Sequence, residues 1–117
     1  MAKILIMITS WSGVHHHPND TDEHTVFEVL TTKPLKVLIQ YLDLTALVQN
    51  AIIRLYAKID GTNYKEIDST RRIVADRKGF SAVDVAVDTD FKLTAQSINA
   101  EGAVRDIPWR YITEKVV

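Results

Sequence analysis

Hydrophobic and polar residues alternate with a period of two in several short runs of this chain, and the clearest run covers residues 51–59. Its odd positions are apolar and its even positions from Arg54 onward are polar or amphipathic, so one set faces a core and the other faces solvent. Asp60 and Gly61 follow directly, and this pair is a strong hairpin signal because glycine tolerates the positive φ of a tight turn. The pattern predicts a central β-hairpin whose return strand starts at residues 62–64.

Three segments before this hairpin have the composition of strands. Residues 3–9 (KILIMIT) are apolar on both faces, so this strand is covered on both sides or packs against another subunit. Residues 25–32 form the next predicted strand, which Pro34 ends because proline lacks the backbone N–H donor. Residues 35–47 fit either an amphipathic helix or a strand, 36–43, followed by a turn. Their Val, Ile and Tyr content favours the strand.

The second half of the chain repeats the strand pattern. Residues 83–87 and 91–95 alternate cleanly on either side of a short Asp-rich turn, which predicts a second hairpin. A last strand is predicted over residues 104–112. Pro108 can lie in this strand only at a sheet edge or a bulge, because proline cannot donate a backbone hydrogen bond to a neighbouring strand. Trp109 is interpreted as a core residue that closes the fold.

The spacing of these runs indicates the fold class. Strand-sized runs recur every 8–12 residues or so with turn signals between them, as is typical of a sandwich or a barrel. We therefore expect an all-β fold, a single-domain antiparallel β-sandwich of jelly-roll or Ig-like type with an extended N-terminal arm. Residues 1–24 are assigned to the arm, which holds the N-terminal strand and a polar loop, and residues 25–117 to the sandwich domain.

Composition narrows the functional classes. The chain has 117 residues, no cysteine, and 14 Lys and Arg against 15 Asp and Glu, for a net charge of -1. A dedicated nucleic-acid binder normally has a basic excess, so no nucleic-acid partner is expected. The apolar run at residues 4–8 is shorter than the roughly 7–15 residues of a secretory signal and the roughly 20 of a membrane span. We expect no membrane partner and synthesis in a cytoplasm.

Three consecutive histidines lie in residues 11–23, which are predicted to form a loop because of their Gly, Pro, Asn and Asp content. His15, His16 and His17 are followed by His24, and imidazole suits Zn, Ni and Cu. Adjacent residues of an extended chain point to opposite sides, so one ion rarely takes all three. No spaced histidine partner is found later in the sequence. We therefore expect no metal, with an ion shared on an oligomer axis as the alternative.

Other signals of chemistry are weak. Asp84, Asp88 and Asp90 do not have the spacing of an EF-hand loop, so no calcium or other cofactor is expected. The sequence contains no G-x-S-x-G, H-E-x-x-H or P-loop motif. Ser10 and Ser12 precede the histidines, but no orienting aspartate can be assigned to a triad. We expect a protein that is not an enzyme and has no catalytic residues.

Three stretches, LDLTAL, IIRLYAKIDGTNYKEIDS and DFKLTAQSINAEGAVRDIPWRYI, carry a family resemblance. They resemble a pattern in small β-sandwich proteins of tailed bacteriophages, and the match is carried by residues 43–47, 53–64 and 107–109. Residues 1–33 have no counterpart in that pattern. The resemblance implies a virion structural protein made in the host cytoplasm, such as a capsid decoration (cement) protein or a minor head or tail component.

The same resemblance implies partners and a mode of action. Such proteins bridge neighbouring capsid subunits or bind other virion proteins, and they form homo-oligomers, with a trimer favoured. No catalytic residue is carried over. Because an apolar arm can add as a strand to a partner's sheet, we place the interaction in the N-terminal strand and the histidine loop, at Ile4, Ile6, Ile8, Trp11, His15, His16 and His17.

Two alternatives remain open from the sequence. A carbohydrate-binding module, free or on a phage fibre, would use aromatic side chains as stacking platforms for sugar rings. Its candidate residues are Trp11, Tyr56, Tyr64 and Trp109. A small hydrolase subunit or metal-dependent enzyme that uses the histidines is the third interpretation.

Overall fold

The structure is a computed structural model that describes residues 6–30, 35–58, 60–72, 79–87 and 90–116. These residues form strands and connections without any helix, so among them no helix is long and apolar enough to cross a membrane. Eight strands follow in chain order: β1 (Ile6–His17), β2 (Glu23–Val29), β3 (Leu35–Asp43), β4 (Ala51–Ala57), β5 (Lys65–Arg72), β6 (Gly79–Val87), β7 (Phe91–Ser97) and β8 (Arg105–Val116).

The strands form two four-stranded antiparallel sheets. Sheet A has the order β1-β8-β3-β6, and sheet B has the order β2-β7-β4-β5. Successive strands therefore mostly alternate between the sheets, which is the arrangement of a jelly roll. The predicted all-β antiparallel sandwich is confirmed, and of the two types considered it is the jelly roll.

The core lies between the sheets and has an aromatic centre. Phe27 packs against Phe91, Trp109 and Tyr111, with ring centroids 6.3, 5.2 and 5.0 Å away. Aliphatic side chains from both sheets and from the β3–β4 connection surround this group. The buried apolar residues are Val26, Phe27, Val29, Leu42, Leu44, Leu47, Ala51, Ile53, Leu55, Ala57, Phe91, Leu93, Ala95, Ile107 and Tyr111.

The predictions for the middle of the chain hold in their main points. β3 is a strand, and Asp43 Oδ1 ends it by accepting the N–H of Thr45 at 3.0 Å. The β4–β5 hairpin forms as expected, and Asp60 Oδ1 accepts the backbone N–H groups of Thr62 and Asn63 in its turn. Gly61 has a φ of 80°, the left-handed conformation that favours glycine at this position.

Two predictions of the local structure are wrong. Residues 11–17 are part of β1, not a loop, because each of them has a partner on β8. The predicted hairpin of residues 83–87 and 91–95 does not form: β6 pairs with β3, whereas β7 pairs with β2 and β4. A period of two identifies a strand but not its neighbour, and here the chain crosses from one sheet to the other.

The predicted arm can be located only in part. Residues 1–5, including Ile4, lie outside the described residues. Residues 6–17 run along β8, and the predicted boundary after residue 24 falls inside β2. The division into an arm and a domain stays a prediction, but the described part of that arm is integrated into both sheets.

The pairing of β1 with β8 depends on a glycine beneath a tryptophan. Gly13 faces Trp109 across the two strands, and a Cβ atom added at Gly13 would lie 2.8 Å from Trp109 Cε2. Trp109 packs against the core, as predicted, and stacks on Tyr111 at 5.7 Å. The pairing of β3 with β8 ends at Trp109. Pro108 is therefore paired only with β1, on one side of β8, as a residue of an edge strand would be.

Substitution of Gly13 by alanine tests this contact. We expect Gly13→Ala to lower the free energy of unfolding by about 1–3 kcal/mol, because the new methyl group displaces a packed indole ring. Ser12→Ala is the matched control, since Ser12 is exposed and its side chain points to the other face. Chemical denaturation followed by tryptophan fluorescence measures both, and equal stability of the two variants would contradict the packing described.

Gln40 generates a second prediction. Its side chain is fully buried, and among the described residues neither its Oε1 nor its Nε2 atom has a hydrogen-bond partner. A buried polar group without a partner costs about 1–3 kcal/mol. We expect Gln40→Met to raise the free energy of unfolding by a similar amount, while Gln96→Met, which removes bonds to Arg54 and Thr21, lowers it. A loss of stability in Gln40→Met would indicate a buried partner for the amide, such as a water molecule.

Candidate interaction surface and histidine cluster

The residues predicted to interact lie along β1, at one edge of sheet A. β1 pairs with β8 on one side, and among the described residues no other strand lies on its second side. Ile6 begins the strand, and Ile8 is exposed, at 66%. Trp11 is half exposed; it stacks on Tyr111 at 6.2 Å and donates from Nε1 to Thr113 Oγ1 at 3.4 Å.

A twelve-residue edge strand with exposed apolar side chains is a template for further pairing. Natural monomers shorten, charge or cover such edges, because unpaired N–H and C=O groups recruit other strands. Next to this edge, residues of β1, β3 and β8 line an open groove of about 830 Å³. Its lining residues are Ser12, Gly13, Val14, Tyr41, Leu42, Asp43, Pro108, Trp109 and Arg110.

The outer face of sheet B is polar and internally paired. Glu23 accepts hydrogen bonds from Tyr56 and Thr94, and Tyr64 donates to Glu28 at 2.6 Å. Lys92 Nζ lies over the rings of both tyrosines, 5.2 Å from Tyr56 and 4.7 Å from Tyr64. These two aromatic rings, which a carbohydrate-binding module would offer to a sugar, are held in contacts within the sheet.

The pKa values in this network follow the same contacts. Burial, followed by the hydrogen bond to Glu23, raises the pKa of Tyr56 to about 12. Burial alone would raise the pKa of Glu23, but hydrogen bonds from Thr94 and Tyr56 bring it below its usual value. The carboxylate therefore remains an acceptor for both hydroxyl groups at neutral pH.

The three consecutive histidines point to two sides of β1. His16 faces outward, where its Nδ1 atom lies 2.7 Å from Asp106 Oδ1. His15 and His17 face inward, and His15 Nε2 lies 3.1 Å from His17 Nδ1. His17 is completely buried, and its Nε2 atom lies 3.0 Å from Ser97 Oγ. His17 therefore holds β1 from within and has no surface to offer to a partner.

His24 completes a cluster that the sequence analysis missed. Residues 18–22 connect β1 to β2 and return the chain, so that the His24 ring lies 5.6 Å from that of His17 and 6.5 Å from that of His15. Its Nε2 atom lies 2.7 Å from Asp20 Oδ1. The expectation that the histidines lack a spaced partner is therefore corrected. The signal was the i, i+2 spacing within a strand, which puts His15 and His17 on one face.

His15 and His17 are both held in the neutral form. Burial, and then the charges of the neighbouring histidines, lowers the pKa of His15 to about 4. Burial also lowers the pKa of His17, followed in effect by the charge of His24. At neutral pH these two rings therefore keep a lone pair on one nitrogen atom each.

A buried carboxylate ties together the loops beside this cluster. Glu101 accepts the backbone N–H of Val48 at 2.7 Å and that of Gln49 at 3.0 Å. In the same loop, the N–H of Gly102 donates to Asn19 Oδ1 at 2.7 Å. Three connections, β1–β2, β3–β4 and β7–β8, are thereby joined at one end of the sandwich.

The pair of His17 and Ser97 is not an accessible catalytic dyad. Ser97 Oγ and His17 Nε2 are within hydrogen-bond distance, which is the first requirement for an activated nucleophile. Both side chains are fully buried, however, so a substrate carbonyl cannot approach the hydroxyl group. The contact instead fixes the orientation of the His17 ring.

Comparisons with known proteins bear on the fold alone. No family model matches the sequence, and no curated protein matches it. A protein of Bacillus endospore appendages, a family of disulfide-linked pili, matches with a TM-score of 0.66 and 10% identity over 99% of this chain and 92% of its own. A chain of the capsid of Helicobacter pylori bacteriophage KHP30 matches with a TM-score of 0.59 and 12% identity over 97% of both chains.

A third structure has the same fold as part of a longer chain. It comes from the turret assembly of an archaeal virus with a triple jelly-roll fold, with a TM-score of 0.60 and 12% identity. The match covers 99% of this chain and 31% of the turret protein chain. The molecule thus has the jelly-roll fold found in these capsid, turret and pilus proteins.

Glu101 supplies a testable prediction for the loop junction. In Glu101→Gln an amide NH₂ replaces the oxygen that accepts the Gln49 N–H, so two donors face each other in a buried site. We expect the free energy of unfolding to fall by about 1–3 kcal/mol. Glu66→Gln is the control, because its exposed ion pair with Arg54 contributes roughly 0–1 kcal/mol. Equal losses in thermal denaturation would contradict the role of Glu101.

Proposed function

We propose that this chain is a non-enzymatic virion structural protein, a capsid decoration protein that stabilises a phage head by binding to capsid subunits. The observation that carries the proposal is the long exposed edge of sheet A beside an open groove on the same sheet. An extended partner segment can pair with such an edge through its backbone and place side chains in the groove.

The end-to-end likeness in fold to a phage capsid chain supports this proposal, as does the resemblance of the sequence to small phage β-sandwich proteins. The residues of that pattern have structural tasks. Asp43 ends β3, Asp60 accepts the N–H groups of a hairpin turn, and Trp109 covers Gly13. These residues therefore stabilise the fold that presents the proposed binding edge.

The proposed assembly is non-covalent. The endospore appendage proteins belong to a family of disulfide-linked pili. This chain has no cysteine, so it cannot form such a cross-link and depends on apolar contacts and strand pairing. We propose a homo-oligomer, with a trimer favoured, in contact with capsid or other virion proteins and located in the virion.

The proposed binding residues follow from their exposure. Ile8 and Trp11 supply apolar area on opposite faces of the β1 edge, His16 supplies an exposed polar group, and residues 1–5, with Ile4, precede β1 in the sequence. His15 and His17 act from inside by positioning β1. Apolar and aromatic anchors of this kind carry most of the binding energy in protein interfaces.

A pair of charge substitutions tests the surface. Ile8→Glu puts a carboxylate on the exposed edge of sheet A, and Ile67→Glu puts the same group on β5, at an exposed edge position of sheet B. We expect Ile8→Glu to weaken binding to purified phage capsids at least about tenfold, because the charge must be desolvated in the contact. Ile67→Glu should bind like the unaltered chain.

Co-sedimentation of the chain with capsids over a concentration series gives both affinities. Circular dichroism confirms first that each variant is folded. Unaltered binding of Ile8→Glu, or an equal loss in Ile67→Glu, would contradict the proposed surface. A chain that does not bind capsids at all would contradict the proposed function itself.

A further inference from the structure

We propose that His15, His17 and His24 bind a zinc-class transition-metal ion between β1 and β2. The inference concerns a site inside the sandwich and goes beyond the proposed function, which does not require a metal. Two of the ligands come from alternate positions of one strand, and the third comes from the next strand. The connection of residues 18–22 brings them together.

The separation of the ring nitrogen atoms fits a shared ion. Zinc bonds to histidine nitrogen are about 2.0–2.1 Å long and nearly tetrahedral, so two such ligands lie roughly 3.3 Å apart. His15 Nε2 and His17 Nδ1 are 3.1 Å apart. An ion between these atoms therefore needs little movement of either ring.

Two of the three ring separations agree with a three-histidine set. Around one tetrahedral ion, imidazole centroids are separated by about 5 Å. The His15–His17 and His17–His24 separations are 5.3 and 5.6 Å, and the His15–His24 separation is 6.5 Å. The His15–His24 separation exceeds this value by roughly 1.5 Å, so His24 has to move toward His15 when it binds the ion.

In His17 and in His24, one ring nitrogen lies within hydrogen-bond distance of an oxygen atom, as is usual for histidines that bind a metal. Histidine ligands usually give their other ring N–H to a carboxylate, a carbonyl or another oxygen, which fixes the tautomer. His17 Nε2 lies 3.0 Å from Ser97 Oγ, leaving Nδ1 toward His15. His24 Nε2 lies 2.7 Å from Asp20 Oδ1, leaving its Nδ1 atom for the ion.

The donor set indicates the class of ion. Neutral imidazole without thiolate suits Zn²⁺, Ni²⁺ and Cu²⁺, whereas Ca²⁺ and Mg²⁺ prefer an all-oxygen shell. A hydrogen bond between His15 and His17 is the rival explanation of their short separation.

Zinc titration distinguishes a metal site from a simple hydrogen bond between the two rings. The full chain is made without a histidine tag, and any bound metal is first removed with a chelator, which is then dialysed away. We expect saturable binding of one Zn²⁺ per chain by isothermal titration calorimetry. His15→Ala and His24→Ala should each weaken binding at least about tenfold. His16→Ala is the matched control, because this ring points to the opposite face of β1, and its affinity should change by less than about twofold.

The melting temperature with and without Zn²⁺ is a second measurement, which distinguishes loss of the metal site from unfolding of a variant. Bound Zn²⁺ should raise the melting temperature of the unaltered chain and of His16→Ala, but not that of His24→Ala. Absence of saturable binding would overturn the proposal, as would an equal loss in His16→Ala. Loss in His24→Ala with full binding in His15→Ala would also overturn it, because the ion would then sit in the separate Asp20, Asp22 and His24 group. The capsid-binding test in the presence of chelator is independent of these results.

Discussion

The antiparallel pairing of β1 with β8 is the constraint on which the other features depend. Twelve residue pairs join the two strands, from Ile6 and Val116 to His17 and Arg105. Side chains alternate along β1, so its odd residues lie on the face toward sheet B, where Trp11 remains half exposed because β1 is an edge strand. The pairing therefore places Gly13 under Trp109, brings His15 and His17 to one side, and leaves Ile8 on the outside. A shift by one residue would exchange the two sets, because side chains alternate along a strand.

The same pairing gives the two sheets different surfaces. Sheet B is covered by a network of Glu, Tyr, Lys and Arg side chains that satisfy one another, which is typical of a solvated face. Sheet A ends in a long edge strand with apolar side chains and an adjoining groove. Binding through sheet A therefore requires little disruption, whereas binding through sheet B would break an established network. The buried histidines stabilise the end of the edge strand where the chain turns into β2.

Local patterns in the sequence were sufficient for the strands but not for their arrangement. The alternation over β4 and the Asp60–Gly61 turn predicted the central hairpin, because all of its determinants are neighbours in the chain. The partners of β6 and β7 depend on contacts between distant segments. Residues 11–17 were misassigned for a similar reason: Gly13 breaks a strand in isolation and is accommodated only because Trp109, far along the chain, covers it. Predicting the histidine cluster would have required two things: that residues 15–17 form a strand, and that the chain returns so that His24 lies beside them.

The most direct test of the central claim, that the β1 edge is the assembly surface, is hydrogen–deuterium exchange of the chain free and bound to phage capsids. Outward N–H groups of an edge strand exchange readily until another strand pairs with them. We expect slower exchange on binding in peptides that cover residues 6–17, and unchanged exchange in residues 65–72, at the edge of the other sheet. Protection of residues 65–72 without protection of residues 6–17 would contradict it.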